Sequence, residues 1–117
     1  MNLNKDCPFC KIIKGEIPAK KVYEDENTFA FRDINPQAPA HIIVVPKAHI
    51  ERISDVTSQD AKIVSDMVLT ANSIARQDKI DKSGYRLVIN CNDDGGQTVY
   101  HIHVHLLGGR RMHWPPG

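Results

Sequence analysis

Apolar and polar positions along this 117-residue chain alternate in several short runs and follow a helical stripe in one long one. Residues 9–14 predict a short helix, stopped by Gly15 and by Pro18 shortly after. Val22-Tyr23 and residues 28–31 predict two strands around the turn Asp25-Glu26-Asn27. Residues 33–39 form a loop, because Pro36 and Pro39 remove backbone donors and restrict the residue before each. His41-Ile42-Ile43-Val44-Val45 is a β-branched strand closed by Pro46. A helix is predicted over 58–79, opened by a capping box of Thr57 and Asp60. Its stripe is Ile63, Val64, Met67, Val68, Ala71, Ile74 and Ala75. Residues 85–90 make a further strand, 91–98 a Gly/Asp-rich loop, and 100–107 the last strand. The sum is an α+β fold: an antiparallel sheet, one long amphipathic helix and a short N-terminal helix. Residues 1–117 read as one domain, with an irregular C-terminal tail from about 109.

Composition narrows the setting. Hydrophobic residues at 41% and charged ones at 25% describe an ordinary globular chain, and a net charge of +1 without like-charge runs recommends neither nucleic acid nor an anionic membrane as partner. No apolar stretch is long enough to span a bilayer, and the polar start lacks a signal-peptide core. Cysteines number three, too few and too odd for a disulfide scaffold. A cytoplasmic protein is expected, and a chain this short gains from burying more surface in a dimer.

The chemistry gathers in His101-Ile102-His103-Val104-His105-Leu106-Leu107. Alternation on a strand puts all three imidazoles on one face, successive ones about 6–7 Å apart, with Ile102, Val104 and Leu106 opposite. A single such histidine would be an ordinary half-buried side chain; three in register, from only six in the chain, point to a site. Histidines at this spacing can bind a catalytic zinc. Alternatively the middle imidazole is a nucleophile whose other ring nitrogen is held by a hydrogen bond. Immediately upstream, Gly95-Gly96-Gln97-Thr98 brings backbone N–H groups and a hydroxyl to the strand, which suits a phosphate held beside a nucleophile. At the other end of the chain Cys7-Pro8-Phe9-Cys10 has the spacing of half a zinc site, with His49 and His101 as candidates for the other half. A redox C-x-x-C would want a βα context, which is not evident here.

Together Phe31-Arg32-Asp33-Ile34-Asn35-Pro36-Gln37-Ala38-Pro39, His41, Gly95-Gly96-Gln97-Thr98-Val99-Tyr100, the H-x-H-x-H strand and the ending Met112-His113-Trp114-Pro115-Pro116-Gly117 resemble the histidine-triad (HIT) family. The nearer likeness is to its Hint branch of nucleoside phosphoramidate hydrolases, in a variant that carries C-x-x-C. The resemblance implies a homodimer with a continuous sheet and a purine nucleotide substrate. It implies His103 as the nucleophile, with His105, His41 and Thr98 around the phosphate. Asn90, Gly96 and Gln97 then line the phosphate site and Asp33 holds the ribose. Phe9, Ile12, Ile17, Phe31 and Ile34 wall the base, and Trp114 reaches toward the partner's site. It also implies one structural zinc on Cys7, Cys10, His49 and His101, with no cofactor needed for the chemistry.

The residue types suit that chemistry on their own terms. An imidazole nucleophile splits displacement at phosphorus into two steps, and clustered imidazoles near neutral pKa can give and take a proton. Three further readings stand beside it. One is a dinucleoside polyphosphate hydrolase or nucleotidylyl transferase of the same family. Another is a non-catalytic nucleotide- or zinc-binding interaction module. The third is a mononuclear zinc hydrolase built on His101, His103 and His105.

Overall fold

The computed structural model describes residues 3–117. Five strands, Lys21–Glu24 (β1), Thr28–Arg32 (β2), Ala40–Pro46 (β3), Tyr85–Val88 (β4) and Val104–Gly108 (β5), form an antiparallel sheet in the order β1-β2-β3-β5-β4. Three helices accompany it: Pro8–Ile13 (α1), the long Ala61–Gln77 (α2) and a single turn, Asn92–Gly95 (α3). The α+β antiparallel architecture expected from the sequence is therefore the one observed.

The central strand β3 is buried along its whole length, which explains why it reads as a continuous apolar run. On one face Ala30, Ile42, Val44, Val104 and Leu106 meet Met67, Ala71, Ile74 and Ala75 of α2. On the other, Phe29, Phe31, Ile43 and Val45 meet Cys7, Phe9 and Cys10 of the α1 region. Ile102, Val104 and Leu106 do lie under the long helix, so the face carrying the histidines is the one turned toward α1. That face is not open to solvent along its length: His101 and His103 are both buried.

Several boundaries move, each for a local reason. The last strand begins at Val104 and not at Tyr100. The register Val44↔Val104 would set Ile102 opposite Pro46, which has no N–H, and the Ile102 amide instead donates to the Ile50 carbonyl at 2.7 Å. Thus His101 and His103 sit in the irregular segment that leads into the strand, and only His105 is on β5. Strand β4 stops at Val88, paired with His105. Residues 58–60 are a 3-10 turn leading into α2; the Thr57–Asp60 capping box forms at that turn. The 91–98 loop contains α3, and a 3-10 turn at Ile53–Asp55 gave no signal in the sequence.

Where β5 ends, two glycines allow close packing. At Gly109, φ is +87°, and a Cβ there would stand 2.9 Å from Cβ of Pro39. Backbone strain and a rigid proline ring act together at this position. Gly109→Ala is expected to destabilise the fold by about 1–3 kcal/mol, read as a lower urea midpoint at unchanged m-value.

Candidate active site

A cavity of about 900 Å³ opens between α1, β2, β3 and the histidine segment. Phe9, Ile12, Ile17, Phe31 and Ile34 form an apolar wall at one side, and Asp33, His41, Thr98, His103 and His105 give it a polar end. Ten residues singled out from the sequence thus converge on one space. Ile34 is 99% exposed although it borders the cavity, as suits a residue at the rim. Pro39, Ile43 and Val99 also line it and were not anticipated, since apolar side chains of a wall and of a core look alike in sequence.

Hydrogen bonds assign the tautomers. His103 Nδ1 lies 2.6 Å from the His101 carbonyl oxygen, which can only accept, so Nδ1 carries the proton. The neutral ring then has its lone pair on Nε2. Phe9 stacks edge-on against this imidazole at 5.0 Å and backs it with apolar surface. Burial pushes the His103 pKa below its ordinary value, opposed by the His101 carbonyl and by Asp33, so the ring is neutral at pH 7.

A second chain of bonds runs through His41 and His105, whose Cα partners Leu107 and Ile43 show that they occupy the same face of neighbouring strands. The Gln37 backbone N–H donates to His41 Nδ1 at 3.0 Å, so the neutral His41 ring carries its proton on Nε2. His41 Nε2 is 2.9 Å from His105 Nδ1 and 3.3 Å from Asp33 Oδ2. Its proton serves the shorter contact, His105 Nδ1 accepts, and His105 is left with Nε2–H. Burial lowers His41, with Asp33 opposing. Burial brings His105 down to about 4, helped by His103 and His41 and opposed by Asp33. The result is a lone pair on His103 and an N–H on His105, in rings 4.9 Å apart. Asp33, His41 and His105 also have the spacing of a metal site, but the proton on His41 Nε2 occupies the position a cation would need.

The first triad histidine belongs to another cluster. His101 Nε2 donates to the Pro46 carbonyl at 2.8 Å, which leaves Nδ1 unprotonated. That nitrogen is 3.4 Å from Cys7 Sγ, 3.5 Å from Cys10 Sγ and 3.2 Å from His49 Nδ1. Cys10 Sγ to His49 Nδ1 is 3.5 Å. Tetrahedral zinc with ligands at about 2.3 Å for sulfur and 2.0–2.1 Å for nitrogen requires S···N edges of about 3.5 Å and N···N edges of about 3.3 Å. Backbone N–H groups of Cys10 and Asn4 donate to the two sulfurs, as a pair of thiolates would demand. Residues, tautomer and edge lengths all fit zinc. Both nitrogens of His101 are committed here, so the three triad imidazoles do not converge on a shared metal.

A family model described as the HIT domain matches residues 14–112. The chain belongs to the HIT family. Among relatives of this HIT protein, a purine nucleoside phosphoramidase of Escherichia coli is 50% identical over 104 residues, 89% of this chain and 87% of the relative. A 14 kDa zinc-binding protein of Zea mays is 50% identical over 111 residues, 93% of this chain and 86% of the relative. The crystal structure of a HIT family hydrolase from Legionella pneumophila superposes with a TM-score of 0.93 at 54% identity, covering 95% of this chain and 99% of the other.

The remaining predicted residues of this HIT protein stand outside the cavity wall. Gln97 is buried, and its side chain braces the loop: Nε2 donates to the Glu51 and Val99 carbonyls at 2.7 and 3.1 Å, and Oε1 accepts from the Asn92 amide at 3.0 Å. Gly96, at φ +80°, is the left-handed cap of α3 that lets the chain turn toward Thr98. Asn90 is half-buried just before that loop. Trp114 is 83% exposed in the tail, next to His113, whose carbonyl accepts from Arg86 of β4.

A depressed histidine couples the fold to pH. Above its ordinary value of about 6.5, His105 is neutral folded or unfolded, and its contribution is complete. As pH falls from about 6.5, the unfolded chain takes up a proton that folded His105, with its pKa of about 4, refuses. Stability is therefore lost through that window. The thermal midpoint is expected to fall steadily between pH 6.5 and pH 4, with a shallower fall in His105→Asn; equal slopes in both proteins would refute it.

Proposed function

We propose that this protein hydrolyses purine nucleoside phosphoramidates, such as adenosine 5'-phosphoramidate, through a nucleotidyl-histidine formed on His103. The observation that carries this reading is the His103 tautomer. Its Nδ1–H is spent on a carbonyl, which leaves the Nε2 lone pair as a neutral nucleophile on a ring that lines the cavity of about 900 Å³. The base lies between Phe9, Ile12, Ile17, Phe31 and Ile34, and Asp33 takes the ribose hydroxyls. The phosphate rests beside His41, His105 and Thr98 on the loop shaped by Asn90, Gly96 and Gln97. The phosphoramidase relative from Escherichia coli supports the choice of substrate.

His103 Nε2 bonds to the α-phosphorus as the P–N bond breaks. The departing nitrogen leaves as an amine, its proton supplied from water by way of the His105 Nε2–H. Hydrogen bonds from His105 and Thr98 offset charge on the phosphoryl oxygens. A water molecule then attacks phosphorus, returns its proton to solvent and frees His103.

In the same proposal Cys7, Cys10, His49 and His101 hold one structural zinc, which the zinc-binding relative supports. Such an ion, enclosed by four protein ligands, supplies stability and fixes the segment that leads to His103. A cytoplasmic setting would keep the thiols reduced for it. The assembly is a homodimer with a continuous sheet. Strand β4 is an edge, and Leu69, 63% exposed, lies one turn of α2 before Asn72, which accepts from Tyr85 of that strand. Trp114 in this arrangement faces the partner's cavity.

Two experiments test the reading. Mass spectrometry after brief mixing with adenosine 5'-phosphoramidate should find an adenylyl adduct on His103, and His103→Ala should lower turnover at least roughly a hundredfold. Full activity in that variant would overturn the nucleophile. Metal analysis should find about one zinc per chain in the wild type and none in Cys7→Ser; an unchanged metal content would overturn the four-ligand site.

A further inference from the structure

The relay through His41 begins at a main-chain group, the Gln37 N–H, and the carbonyl of that same residue, in the next peptide unit, is fastened from outside the cavity. Arg110, just beyond β5, donates from Nε to the Gln37 carbonyl at 2.9 Å, and its Nη1 donates to the Arg111 carbonyl at 3.2 Å. The next residue back, Gly109, is packed so closely on Pro39 that a side chain would not fit. Gln37 also ties its own loop, donating from Nε2 to the Asn35 carbonyl at 3.1 Å, while the Asp33 amide donates to the His41 carbonyl at 2.9 Å. From Gln37 the bonds run to His41 Nδ1 and then to His105 Nδ1. An unbroken series of contacts therefore leads from the start of the C-terminal tail to the one N–H that His105 presents to the substrate.

We infer that Arg110 is a positioning residue for the leaving group: by pinning the Gln37 carbonyl it fixes the backbone of residue 37, keeps that residue's N–H on His41 Nδ1, holds His41 in its Nε2–H tautomer and so keeps the His105 Nε2–H turned to the cavity. This goes beyond the proposed reaction and rests on it for the role of His105. An imidazole ring has two neutral tautomers of similar energy, and the hydrogen bond at one nitrogen selects between them. Without Arg110 the 37–38 peptide is free to turn, the backbone of residue 37 shifts with it, the Gln37 N–H loses alignment with His41 Nδ1, and both tautomers of His41 become populated. When His41 carries its proton on Nδ1, its Nε2 lone pair draws a proton from His105 Nδ1–H, and His105 then faces the phosphate with a lone pair. Departure of a poor leaving group such as an alkylamine suffers, whereas a nitrophenolate departs without a proton and is indifferent.

The test uses the full-length zinc-loaded protein with uniform 15N labelling and the variants Arg110→Ala and Arg110→Lys; Arg110 is exposed, so neither disturbs the core. In the wild type, the ring-nitrogen shifts of His41, assigned by their loss in His41→Asn, should report Nε2–H alone. Arg110→Ala should give shifts averaged between tautomers, and Arg110→Lys, which keeps a donor for the Gln37 carbonyl, should restore the wild-type pattern. In turnover, Arg110→Ala should lower kcat about three- to tenfold for an adenosine alkylphosphoramidate, with KM little changed and the 4-nitrophenyl ester of AMP cleaved normally. Unchanged His41 shifts in Arg110→Ala, or an equal loss with both substrates, would overturn the inference. Absence of phosphoramidate cleavage by the wild type would instead overturn the proposed function, and the nitrogen shifts would still decide the tautomer.

Discussion

An imidazole has two ring nitrogens, and a hydrogen bond accepted or donated at one dictates what the other can do. The structure applies this constraint three times with main-chain atoms. The carbonyl of His101 takes the proton of His103 Nδ1, that of Pro46 takes the proton of His101 Nε2, and the Gln37 amide fills the lone pair of His41 Nδ1. From those three bonds follow a lone pair at His103 Nε2, another at His101 Nδ1 and an N–H at His105. Three side chains identical in chemistry and alternate in sequence end with their protons on different nitrogens and against different partners.

The sheet makes those bonds possible by desolvating the rings. The face of β3 opposite α2 is roofed by α1, and Phe9 touches His101, His103 and Phe31 at centroid distances of 5.0–6.0 Å. Burial keeps the imidazoles neutral, so that lone pairs exist at pH 7 and each ring has only one proton to place. The same α1 starts with Cys7 as its N-cap and carries Cys10, so the helix that dries the site also brings both sulfurs of the Cys7, Cys10, His49 and His101 cluster to it. Packing and chemistry therefore share one six-residue element.

Much of this was legible in the sequence. The stripe of α2, the capping box and the β-branched strand at 41–45 were legible and the structure realises them, while the alternation from His101 to Leu106 keeps its two faces although only His105 of the three histidines lies on a strand. The C-x-x-C pair and its two histidines were readable because ligand chemistry restricts residue types so severely. What escaped was set by partners remote in sequence. That the last strand starts only at Val104 depends on Pro46 lacking an N–H and on the Ile50 carbonyl being near Ile102. That Gln97 braces a loop with both ends of its amide depends on Glu51 and Asn92, neither of which is marked by any local pattern. The role of the Gln37 peptide could not be read at all, because a backbone N–H is common to nearly every residue.

That last point bears on how freely this chain can change. A site organised by side chains is hostage to each of them, whereas a site organised by peptide groups tolerates substitution wherever the backbone path is kept. Positions 37, 46 and 101 contribute their amide or carbonyl whatever side chain they bear, with proline at 37 as the one exclusion. The side chain at 37 can therefore drift while the protonation pattern of the histidines is inherited intact through the shape of the main chain.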